Sequence, residues 1–165
     1  MVSREIPSVN KYGASNLQSL KRRILQRNQS AIRINQEPAE IVETNLAKIR
    51  EAWNQYQSTN NRNAVYIYLT AIYNVVRKWR RIDLVDDYCA LAFHFHRDHI
   101  DMEPEPFAIL IYCTADPEKV DKKTRSKWSR ALRVAEACKR DDHTVREFIK
   151  GLGGVNNCAA LFPQI

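Results

Sequence analysis

Residues 65–81, Val65-Tyr66-Ile67-Tyr68-Leu69-Thr70-Ala71-Ile72-Tyr73-Asn74-Val75-Val76-Arg77-Lys78-Trp79-Arg80-Arg81, decide how this chain folds. Val65, Tyr68, Leu69, Ile72, Val75, Val76 and Trp79 follow the i, i+3, i+4, i+7 spacing that forms one stripe on a 3.6-residue helix. Ile67, Ala71 and Tyr73 widen that stripe beyond what one neighbour covers, so the spacing predicts a central helix over about 62–82, packed on more than one side. Its last turn places Arg77, Lys78, Arg80 and Arg81 at the negative end of the helix dipole.

Working outward, Val42, Leu46, Ile49, Trp53 and Tyr56 recur at steps of four, three, four and three after Pro38. A helix over about 39–57 is predicted, closed by Ser58-Thr59-Asn60-Asn61. Leu84, Tyr88, Leu91 and Phe95 predict a third helix over about 84–99, with Asp83 as its N-cap and Asp86 and Asp87 in its first turn. Residues 102–106, Met-Glu-Pro-Glu-Pro, break the chain. The apolar run 107–113 is too short for periodicity to decide; Pro106 at a first helical position favours a buried helix, while the Ile-Leu-Ile-Tyr-Cys content allows a strand. In the next segment Val120, Thr124, Trp128, Ala131, Leu132, Ala135 and Cys138 share one helical face, and the cations between them project elsewhere. Short helices over 143–152 and 155–162 follow, with Gly151 or Gly153-Gly154 as the left-handed stop. No fixed-period repeat is visible.

Length and composition agree. The chain has 165 residues, 44% hydrophobic and 27% charged, enough for one apolar core. Three of its four glycines fall at 151–154, so the long Gly-poor interior argues for helices joined by short connections. The expected architecture is all-α: a compact single-domain bundle of five to seven helices over 38–165, behind a flexible basic N-terminal arm over 1–37 with one short amphipathic helix. The expected core is Trp53, Tyr68, Leu69, Ile72, Val76, Trp79, Leu91, Phe95, Trp128 and Leu132. Cys89, Cys113, Cys138 and Cys158 are isolated among apolar neighbours, the pattern of buried free thiols in a reducing compartment. With no signal-peptide order and no membrane-length apolar run, a cytoplasmic location is expected.

The charge is unevenly distributed. Residues 119–140 hold nine basic and two acidic side chains, whereas residues 83–118 hold one basic and nine acidic. Such a chain either presents cations to an anionic partner or folds its acidic block against them. The arm adds seven basic residues against two acidic ones, and the whole chain carries +7.

Signatures of catalysis are weak. Three of the four histidines, His94, His96 and His99, lie within six residues, but the pairs His94/Asp98 and His96/His99 point in different directions, and ordinary imidazoles are the simpler reading. No Gly-x-Ser-x-Gly frame is present, and Gly151-Leu152-Gly153-Gly154 lacks the Lys-Ser/Thr of a phosphate loop. No cofactor and no metal are therefore expected, and the chain reads as a non-enzyme. Residues 148–162 resemble the helix, Gly-Gly turn and small-residue helix that open phage-repressor-type helix-turn-helix domains. That match stops short of a recognition helix, so no base-reading residue is carried over.

Nucleic-acid binding through phosphate contact is the leading expectation, because each Lys or Arg that neutralises a phosphate releases counterions. The candidate contacts are Lys21, Arg22, Arg23 and Arg27 in the arm, Arg77, Lys78, Arg80 and Arg81 at the end of the central helix, and Lys122, Lys123, Lys127, Arg130 and Arg133. Trp79 and Trp128 lie among these cations at core spacing and are read as packing residues. The alternative is a protein-interaction module, an adaptor or an inhibitor of a nucleic-acid-handling enzyme, using the separate acidic and basic surfaces.

Overall fold

A computed structural model of the chain describes residues 19, 22–24, 26, 37–59, 61, 63–96 and 105–164. Its elements are α1 (Pro38–Ser58), α2 (Ala64–Arg81), α3 (Val85–His96), α4 (Pro106–Thr114), α5 (Lys122–Cys138), α6 (Val145–Gly151) and α7 (Val155–Ala160), closed by a 3₁₀ turn at Phe162–Gln164. No strand occurs among the described residues, and 107–113 resolves as helix. Pro106 starts α4 where a missing N–H is harmless, and the Glu105 carboxylate accepts from the amides of Phe107 (3.1 Å) and Ala108 (2.7 Å).

The wide stripe of α2 makes it the hub, touching α1, α3, α4, α5 and α6. Tyr68, Leu69, Ile72, Val76 and Trp79 are fully buried. They lie in one apolar cluster with Leu46 and Ile49 of α1, Tyr88 and Leu91 of α3, Leu110 of α4 and Leu132 of α5. Ile67, read as widening the stripe, instead points outward at 44% exposure. Trp79 meets Tyr88 edge-on at 5.3 Å, while Trp53, Tyr68 and Trp128 form an aromatic junction where α1, α2 and α5 meet. Tyr68 and Thr114 share a buried hydroxyl hydrogen bond of 2.8 Å that ties α2 to the end of α4. Ile24, in the segment read as an arm, is helical and fully buried in this same core, with Arg22 and Arg23 exposed beside it.

Asp83 sits at φ 55 and stops α2, with its amide donating to Arg80 O (3.1 Å) and the Leu84 amide to Trp79 O (3.0 Å). This pair of bonds is a Schellman stop, and Asp tolerates its left-handed position better than most residues. Two expectations are corrected: Phe95, in the last turn of α3, is 38% exposed. Cys138, in the last turn of α5, is likewise exposed.

The same stop recurs after α6, where the amides of Gly153 and Gly154 donate to Lys150 O and Ile149 O (both 2.9 Å). Gly153 has φ 86, and a Cβ there would lie 2.6 Å from Asn157 Nδ2. Among the described residues no helix is long and apolar enough to cross a membrane.

Candidate phosphate-contact surface

Helix α5 is amphipathic by sequence, and its docking follows from that. Trp128, Ser129, Ala131, Leu132, Val134 and Ala135 are buried, while Lys122, Lys123, Ser126 and Lys127 are exposed and Arg130 and Arg133 half-buried. Two contacts fix its rotation. Ser129 Oγ donates to Glu105 Oε2 at 2.7 Å on one side, and Cys158 Sγ of α7 donates to Ala131 O at 3.5 Å on the other. Asp121 caps its start, accepting from the Thr124 amide at 2.7 Å; the Thr124 side chain first, and then its amide, hold the carboxyl below the usual range, with Lys123 and Lys127 adding to the shift.

Among the described residues, the acidic block forms no ion pair with this row. Glu105 serves the start of α4 and Ser129, and Asp116 Oδ1 accepts from the Glu118 amide at 2.9 Å. Among the described residues, Lys122, Lys123, Lys127, Arg130 and Arg133 take part in no ion pair. Arg133 lies 4.2 Å from the Phe162 ring centre, a cation–π contact that leaves its charge uncompensated.

The other expected cations are placed differently. Arg77, Lys78, Arg80 and Arg81 end α2, and Arg80 Nε lies 2.8 Å from Glu136 Oε1 in ion-pair contact, outside hydrogen-bond angles. Glu136 is three residues beyond Arg133 on α5, so this contact adjoins the far end of the row, about 20 Å along the helix from Lys123. Lys78, Arg80 and Arg81 already have a structural reason, since cations stabilise the C-terminal end of a helix. Of the arm cations, Arg22 and Arg23 are exposed, while Lys21 and Arg27 lie outside the described residues. Ser126 shares the exposed face of α5 and was not singled out from the sequence; the three-and-four spacing from Lys123 and Lys122 to it and on to Arg130 is the signal that marks it.

The remaining features offer no activated group. Among the described residues no set of three His, Cys, Asp or Glu side chains is placed to hold a metal; His94 is half-buried, and His99 lies outside the described residues. A cleft of about 340 Å³ between α1 and the end of α4 is lined by Arg50, Trp53, Tyr112, Cys113 and Asp116 among others. Burial pushes the Cys113 thiol up to about 12, so it stays protonated at neutral pH. The 148–162 segment that resembles a helix-turn-helix opening packs on α5 through Cys158 and Phe162, as a buttress for the row. No protein family, no curated protein and no solved structure matches this chain.

Proposed function

We propose that the chain is a nucleic-acid-associated protein that contacts phosphates through the outer face of α5, with no catalytic step assigned to it. The observation that supports this reading is a local choice against helix stability. Lys122 and Lys123 occupy the first turn of α5, which contains no acidic residue. That turn lies at the positive end of the helix dipole, where a cation is unfavourable by about 0.3–1 kcal/mol and a carboxylate favourable by as much. The helix dipole disfavours both lysines, and only Lys123 is offset within the fold, by attraction to the Asp121 carboxylate, whereas a phosphate partner would use both. Such departures from local preference concentrate at functional sites.

Affinity for a 20-nucleotide oligomer, single-stranded or paired, is expected to fall as a power of salt concentration between 50 and 200 mM. Lys122→Glu separates the roles. It is expected to raise the melting temperature by a few degrees, through about 0.3–1 kcal/mol of dipole stabilisation, while weakening binding about 8-fold at 0.1 M salt, the contribution of one neutralised phosphate. A variant that gains stability and binds as tightly as the parent would make the row an ordinary solvated face. Recovery of a stoichiometric protein partner after nuclease treatment, with no oligomer binding at low salt, would favour the protein-interaction reading.

A further inference from the structure

Resting on the phosphate-contact reading, we infer that the partner of the α5 row is duplex nucleic acid, held by its backbone without base stacking. Proteins that hold single strands combine cations with aromatic platforms, each stacked base contributing about 1–3 kcal/mol. Among the described residues, the aromatic side chains around this row are already engaged or buried. Trp128 is 5% exposed and Trp79 fully buried. Phe162 lies under Arg133 at 4.2 Å, and Tyr112 has Arg125 over its ring at 6.0 Å. Tyr56, half-buried, is held edge-on against Trp128, 6.1 Å between centres at 77°. Helix α5 also contains no Asn or Gln to reach an adenine edge.

What the row does offer is a rigid line of charge. From Lys122 to Arg133 it runs about 16 Å at 1.5 Å per residue, roughly half a turn of duplex. A duplex carries one charge per ~1.7 Å of axis, already fixed in place, whereas a single strand has to be ordered on binding. Electrostatics alone then discriminates. Each neutralised phosphate releases about 0.9 counterion from a duplex and about 0.7 from a single strand, which over five contacts at 0.1 M salt amounts to about a 10-fold preference.

The test is fluorescence anisotropy of the full chain against a labelled 20-bp DNA duplex and one of its own 20-nucleotide strands, from 50 to 200 mM NaCl. The duplex is expected to bind about 10-fold tighter at 0.1 M, with a log–log salt slope near −4.5 against about −3.5 for the strand. A duplex of shuffled sequence should bind equally. If the single strand binds as tightly as the duplex or more tightly, with a steep salt slope, the duplex inference is overturned and phosphate contact stands. If neither binds at 50 mM, the phosphate reading falls and takes this inference with it. An affinity difference above about 10-fold between shuffled duplexes would overturn the backbone-only mode.

Discussion

The Lys123→Glu, Lys127→Glu, Arg130→Glu triple variant is expected to lose at least ~500-fold of duplex affinity at 0.1 M salt. Each neutralised phosphate, releasing about 0.9 counterion, contributes about 10^0.9, or 8-fold, at that concentration, so losing three contacts multiplies to roughly 500, and the three introduced carboxylates repel the partner besides. The fold should survive. Lys123 and Lys127 are exposed, Arg130 is half-buried, and none of the three forms an ion pair among the described residues. Far-UV circular dichroism of the variant checks this directly. A matched control reverses Lys78 and Arg81 at the end of α2, outside the α5 row. That control should cost some stability, because it removes cations from the negative end of a helix, but far less affinity. Equal losses from both variants would spread the contact surface over the whole basic side.

Much of the fold was legible because apolar spacing is a local property. The stripe Val65 to Trp79 gave the hub helix, and the α1 and α5 faces followed from the same arithmetic. Failures came where an outcome depends on contacts distant in sequence. The stop of α2 at Asp83 carries no glycine to announce it, and only the bonds to Trp79 O and Arg80 O reveal it. Phe95 keeps helical phase with Leu91, but phase says nothing of where neighbouring helices end. Ile24 lies in a polar segment whose buried anchor is invisible without the pocket that receives it.

The candidate surface was legible as a composition and not as a geometry. Counting charges finds all thirteen candidate cations alike. Only the packed chain shows that Arg80 is engaged by Glu136, and that Glu105, part of the acidic block, is committed to two amides and Ser129. Those contacts set Arg80 apart from the other candidate cations among the described residues.

Trp128→Ala is expected to destabilise the protein by about 3–5 kcal/mol, read as a lowered urea midpoint at unchanged slope. Trp128 is 5% exposed and closes an aromatic junction, with ring centres 6.3 Å from Trp53, 5.7 Å from Tyr68 and 6.1 Å from Tyr56. Three helices lean on that one indole, so truncation leaves a cavity that none can collapse into alone. Against a total stability of about 5–15 kcal/mol the loss is large. Trp128→Phe, which keeps a ring in the junction, should cost much less. A Trp128→Ala loss below about 1 kcal/mol would mean that α5 is not docked by this residue, and the direction of the cationic row would have to be redrawn.

Of the four thiols, Cys89, Cys113 and Cys158 are buried and their pKa values raised by desolvation, whereas Cys138 stands exposed on the last turn of α5. Since the thiolate is the form that alkylates, a maleimide spin label added near neutral pH would attach at one sulfur without any cysteine first being engineered away. The native chain thereby carries its own probe on the helix that is proposed to meet the ligand, and spectral broadening there would follow occupancy of the unaltered protein.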